Sequence, residues 1–159
     1  MTTSSCAVGP ERQLWLAELA RAPRVTLESA LAAVCGGAPL PAFEWLRVPQ
    51  TGLAMVRGRI GGTGDAFNIG ESTVTRAVLR LKSDDGSGPV GIAYQLGRDK
   101  RRAELAALTD AMLQSPRWRD AVRLQLIEPL TKRREAAQRE RAVSTASTRV
   151  DFYTMVRGE

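Results

Sequence analysis

The stretch Ser72-Thr73-Val74-Thr75-Arg76-Ala77-Val78-Leu79-Arg80-Leu81-Lys82 decides the fold class. Ala77, Leu79 and Leu81 alternate with Arg76, Arg80 and Lys82, the period of a strand with one buried face and one wet face. Ser83 to Pro89 follows as a turn by composition. Val90, Ile92, Tyr94 and Leu96 then share one face of a next strand. On the N-terminal side, Leu53 and Met55 alternate with Ala54 and Val56 over residues 53–60, continuing into Arg57 and Arg59. A shorter β-like stretch, Phe43 to Val48, is closed by Pro49 and a Thr51-Gly52 turn. Short links between such strands imply an antiparallel sheet of about four or five strands rather than a parallel one.

Helices flank this centre. Glu11 to Arg21 repeats Trp15/Leu19 and Leu16/Ala20 at helical spacing, with Pro10 where a first-turn proline is tolerated. After Pro23, Thr26 is a candidate N-cap for a helix carrying Leu27, Ala30, Leu31 and Val34, stopped by Gly36-Gly37. These two make a helical hairpin. Asp99 caps a helix to about Leu113 with Leu105, Leu108 and Met112 on its apolar stripe. Ser115-Pro116 opens another, with Trp118, Val122 and Leu126, ended by Pro129. Residues 131–146 are polar almost all round, the pattern of a solvent-exposed or partner-resting helix. Arg149 to Arg157 alternates again, as a terminal strand that pairs in the sheet or with another chain. The expected fold is α+β, with a buried set of Trp15, Leu19, Leu31, Met55, Leu79, Leu81, Ile92, Leu108, Met112 and Trp118.

The chain has 159 residues, one domain's worth; residues 1–10 read as a disordered tail and 11–159 as the domain. There is no histidine, and 23 Lys+Arg face 17 Asp+Glu for a net charge of +6. Without histidine, no Ser-His-Asp or Cys-His relay exists. Two cysteines, Cys6 and Cys35, cannot supply a zinc or four-cysteine cluster site and read as reduced thiols. No apolar run approaches the ~18 residues of a membrane span, and Met1 to Pro10 lacks the build of a secretory signal. A bacterial cytoplasm is the expected location. Residues 98–159 carry 14 basic and 9 acidic residues, against 9 and 8 before them, and arginine supplies 20 of the 23 cations.

Three stretches are candidates for chemistry. Gly61-Gly62-Thr63-Gly64 has glycines and a hydroxyl that suit a phosphate, but not the spacing of a P-loop; a strand-to-strand bend competes with that reading. Leu96-Gly97-Arg98-Asp99-Lys100 sets two cations beside a helix N-terminus, where an anion is favoured unless Asp99 fills the place. The terminal block Arg149 to Gly158, with Asp151 and Arg157, is the third. The scattered carboxylates, among them Asp65 and Asp110, form no pair by spacing. The basic run Lys132-Arg133-Arg134 with Arg139 and Arg141 is broken by Glu135 and Glu140, so it reads first as a solvated face and second as a nucleic-acid surface.

Taken in order, Gln50-Thr51-Gly52-Leu53, Arg59-Ile60-Gly61-Gly62-Thr63-Gly64, Thr75-Arg76-Ala77, Leu96-Gly97-Arg98-Asp99-Lys100 and Arg149-Val150-Asp151-Phe152-Tyr153-Thr154-Met155-Val156-Arg157-Gly158 resemble the PhnG family of the bacterial carbon–phosphorus lyase system. The resemblance runs from about Trp15 to the end. It implies a partner-dependent function with PhnH-, PhnI- and PhnJ-like subunits, whose complex transfers methylphosphonate onto the ribose of ATP and releases adenine. It assigns the nucleosidase-like step to the PhnI-like partner. Radical C–P cleavage, with its iron–sulfur cluster and S-adenosylmethionine, falls to the PhnJ-like one. ATP is then a substrate of the complex, and this chain holds no catalytic residue, metal or cofactor. Arg57, Arg59, Arg76, Arg98, Lys100 and Arg157 are its candidate contacts to partner carboxylates or substrate phosphates, worth roughly 1.5–3 kcal/mol each when buried. The rival readings are a small basic nucleic-acid-binding protein, with steep salt dependence, and a self-sufficient phosphotransferase using the glycine loop.

Overall fold

The computed structural model describes residues 9–83 and 86–147. The order is α1 (Pro10–Leu19), α2 (Arg24–Val34), β1 (Phe43–Gly58), a 3₁₀ turn (Ile60–Gly62), β2 (Phe67–Leu81), β3 (Val90–Leu96), α3 (Lys100–Gln114), α4 (Arg119–Val122), a π-helical turn (Arg123–Ile127) and α5 (Glu128–Ser147). Among the described residues the sheet has three antiparallel strands in the order β1-β2-β3. The α+β class therefore stands, and the two β-like stretches read before residue 60 are a single strand. The expected terminal strand, with Asp151 and Arg157, lies outside the described residues, as do residues 1–8 of the expected tail.

α3 is the centre of the molecule. It packs on β2 and β3 on one side and on α1, α2 and α4 on the other. All positions from Leu105 to Leu113 are buried, so this helix has no wet stripe over that length. The sheet meets it through small residues. A Cβ at Gly91 would lie 1.9 Å from the Ala107 carbonyl oxygen, so only glycine admits the helix backbone so closely. Ala77, Ala93 and Leu79 share that face. The phase of β3 is thus the reverse of the apolar reading: Gly91, Ala93 and Gln95 face the helices, while Tyr94 and Leu96 are exposed and Ile92 is half-buried.

Three further corrections have local causes. β1 is one strand of 16 residues. Pro49 and Thr51-Gly52 do not interrupt it, because β1 is an edge strand and register shifts between Trp45 and Gln50 absorb the proline. The second helix starts at Arg24 with Pro23 at the N-cap, which puts Thr26 inside its first turn. The α1–α2 corner is fixed instead by Arg102, whose Nε and Nη2 donate to the carbonyls of Ala22 (2.7 Å) and Ala20 (2.9 Å). Pro129 does not end its helix. The wider π turn Arg123–Ile127 lies just before it, and the chain continues helical to Ser147. The Ser115-Pro116 start comes slightly later than read, with Trp118 as the N-cap of α4.

Of the expected core, Trp15, Leu19, Leu31, Leu79, Leu81, Leu108 and Met112 are buried, and Trp118 packs partly buried against them. Met55 is 54% exposed, because β1 runs beyond the helices at that point. Asp110 is fully buried and ties three elements together. Its carboxylate accepts from Arg12 Nη2 (2.8 Å) and Nε (3.2 Å), Trp15 Nε1 (2.8 Å) and the Ile92 N–H (2.9 Å).

Candidate functional site

Three of the separately placed motifs meet at one end of the sheet. Thr51 pairs with Thr75 across β1 and β2, and Thr75 with Gln95 across β2 and β3. Thr75 Oγ1 donates to the Gly97 carbonyl (2.7 Å), which leaves the Thr51 hydroxyl as donor to Thr75 (3.0 Å). Gly97 has a φ of 96° and its N–H reaches the Thr73 carbonyl (2.9 Å), so the chain turns sharply from β3 into α3. Glycine is what that backbone conformation favours.

On the face of the sheet away from the helices, Gln50, Arg76 and Tyr94 stand side by side in the register. With Lys100 they line an open groove of about 660 Å³, continued by a hollow of about 360 Å³ that adds Arg47 and Leu46. No carboxylate lines either. Among the described residues Arg57, Arg59, Arg76, Arg98 and Lys100 form no ion pair. A cationic, partly aromatic groove of this kind suits carboxylates or phosphates, with Arg76 offering a planar fork and Lys100 a point charge.

Asp99 does what an N-cap does: its Oδ1 accepts from the Arg102 N–H (2.9 Å). The helix N-terminus is therefore already filled by a carboxylate of the chain. Arg24 adds an exposed pairing to Asp99 at 3.6 Å.

The glycine loop lies elsewhere. It forms the tip of the β1–β2 hairpin, with Gly61 and Gly62 at φ of 60° and 77°. Arg59 Nη1 donates to the Gly64 carbonyl (3.1 Å) and Arg57 Nη2 to the Ala66 carbonyl (3.5 Å), so both arginines fold over the bend. Arg57 lies seven positions beyond Gln50 on β1, a span of about 23 Å at strand rise. The structure thus divides the expected residues. Arg76, Lys100 and the Asp99 cap stand at the groove end, with exposed Arg98 immediately before Asp99 in sequence. Arg57, Arg59, Gly61, Gly62, Thr63 and Gly64 stand at the hairpin tip.

Tyr94 is the groove residue that alternation does not single out, because it shares a face with apolar Val90, Ile92 and Leu96. The basic stretch of α5 is exposed, and Arg133, Arg134 and Arg141 line a groove against the α1–α2 corner with Arg21. Arg134 is bound to the buried Glu18 at 2.6 Å. Among the described residues no three His, Cys, Asp or Glu side chains stand together as a metal site, and no helix is long and apolar enough to cross a membrane.

The family model described as "Phosphonate metabolism protein PhnG" matches residues 10–158. The chain is also 52% identical over 119 residues to a protein of Rhizobium meliloti (strain 1021) named alpha-D-ribose 1-methylphosphonate 5-triphosphate synthase subunit PhnG. That alignment covers 75% of this chain and 73% of the relative.

Proposed function

The chain belongs to the PhnG family of phosphonate metabolism proteins, and on that premise we propose that it is a subunit of α-D-ribose 1-methylphosphonate 5-triphosphate synthase in a cytoplasmic carbon–phosphorus lyase core complex. The complex joins methylphosphonate to C1 of the ATP ribose as adenine leaves, a transferase reaction. PhnH-, PhnI- and PhnJ-like chains are its partners. This chain supplies binding and positioning, and the partners supply the bond-breaking groups.

The observation that carries this division is the groove end of the sheet. Motifs drawn from β1, β2 and the β3–α3 junction converge there, and they present Arg76, Tyr94 and Lys100 with no carboxylate among the residues that line the groove. The absence of histidine fits the same reading. So does the engagement of carboxylates in structure: Asp110 with Arg12, Glu18 with Arg134, Asp99 as a cap. In this role Arg76 and Lys100 bind partner carboxylates or the substrate's phosphates, and no cofactor is held by this chain.

Co-expression with PhnH-, PhnI- and PhnJ-like proteins tests the reading. The expected result is a single assembly that elutes together through size exclusion. A chain that stays a lone monomer in their presence would overturn it. The residue roles have their own test: if Arg98→Ala and Arg157→Ala both left assembly and growth on methylphosphonate untouched, those assignments would be wrong.

A further inference from the structure

Between Gly52 and Glu71 the chain leaves the body of the fold. β3 pairs with β2 only as far as Val74, opposite Leu96. Among the described residues, β1 and β2 beyond that point have each other and no third strand. The resulting two-stranded arm is about 20 Å long at strand rise. Every residue from Gly52 to Glu71 is exposed except Gly58, Gly64 and Ala66, which are half-buried.

The exposed arm is nevertheless apolar. Leu53, Met55, Val56, Ile60, Phe67 and Ile69 are between 40% and 77% exposed. Leu53 and Met55 pair with Thr73 and Glu71 on the sheet face that α3 covers further along. Val56, opposite Gly70, points to the other face. Ile69 lies flat across the ribbon, since a Cβ at Gly58 would meet its Cδ1 at 2.3 Å. An isolated hairpin is marginal in water without a helix or further strand against it. Apolar patches beyond several hundred Å² mark interaction sites.

Charge selects the occupant. Arg57 and Arg59 at the tip have no carboxylate partner among the described residues, and the whole chain carries +6. A second copy repels this one. Among the described residues, none of the cavities described above is lined by more acidic than basic residues, so none complements the arm's cationic tip. The cavity between α1 and α5 is balanced between the two signs. Complementarity calls for an acidic rim.

We propose that the β1–β2 arm inserts into an apolar cleft of another synthase subunit, and that Arg57 and Arg59 meet acidic side chains there. This rests on the function proposed above and adds which surface makes the assembly.

The test compares the wild-type full chain with Met55→Asp and Ile69→Asp, each co-expressed with the partner subunits. Both positions are exposed, so circular dichroism and thermal midpoint of the free variants should match wild type. Their recovery in the assembly should fall at least tenfold. In the wild-type assembly, amide hydrogen exchange over residues 53–58 and 67–71 should slow at least tenfold relative to the free chain. Size exclusion with light scattering should find the free chain monomeric. If the variants assemble as well as wild type, or the arm amides exchange at the same rate, the arm is not the docking element while the subunit reading stands. If the free chain dimerises and Met55→Asp abolishes that dimer, the occupant is a second copy and the proposal falls. If wild type does not assemble at all, the subunit reading fails and this one with it.

Discussion

Replacing Asp110 by alanine should be among the most damaging single changes to stability in this chain. The carboxylate is fully buried and accepts four hydrogen bonds from three partners. Its removal leaves the Trp15 indole N–H and the Ile92 amide without acceptors, at roughly 1–3 kcal/mol each. It also strips the Arg12 guanidinium of its counter-charge. That side chain is only 23% exposed, though it keeps a bond to the Val90 carbonyl at 3.1 Å and some water. Breaking one side of a buried pair costs about 3–5 kcal/mol. We take about 4 kcal/mol as the expected loss, against about 5–15 kcal/mol for a typical domain. For a chain of this size that lowers the thermal midpoint by about 8–16 °C. Urea unfolding followed by circular dichroism reads the loss, and the slope should stay unchanged if the folded and unfolded states keep their exposure. Arg12→Ala alone should be similarly costly, since it leaves a buried carboxylate. The double variant should lose about 2 kcal/mol less than the sum of the two. A loss under ~1 kcal/mol for Asp110→Ala, or simple additivity of the pair, would refute the claim that this cluster holds α1, β3 and α3 together.

The other predictions concern packing, capping and the groove. Gly91→Ala should destabilise by about 2–3 kcal/mol in urea titration, because its Cβ would meet backbone atoms of Ala107 and Ala111 that cannot yield singly. Asp99→Ala should cost about 1 kcal/mol through the lost bond to the Arg102 N–H, and Asp99→Ser should recover most of it. Arg76→Glu should leave the thermal midpoint within ~2 °C, since Arg76 is exposed and forms no ion pair among the described residues, while lowering methylphosphonate-dependent adenine release by the assembly at least tenfold. Unchanged release would remove the groove from the site.

What the sequence made legible depended on whether the deciding partner was local. The α3 cap could be read because Asp99 bonds three residues ahead, and the stop after α2 because Gly36 and Gly37 adopt positive φ within the same turn. The family motifs were legible as a set, although no spacing showed that Thr51, Thr75 and Gly97 would be hydrogen-bonded. Pro49 and Pro129 misled in the same way. Each is a local stop signal, and each is absorbed, one by bulges on an edge strand and one beside a π turn. The phase of β3 was hidden because close helix packing selects small residues, so Gly91 and Ala93 took the buried face from Ile92 and Tyr94. Met55 belonged to a well-read strand, but alternation does not say whether anything covers it. Asp110 looked like one scattered carboxylate among several because its partners come from 98, 95 and 18 residues away.

In the proposed function this chain completes a synthase without carrying its chemistry. Adenine release from ATP with methylphosphonate, measured on PhnH-, PhnI- and PhnJ-like partners with and without this chain, tests it most directly. Little or no release is expected from the partners alone, none from this chain alone, and full release when they are combined. Full release without this chain, or turnover by this chain in isolation, would contradict it.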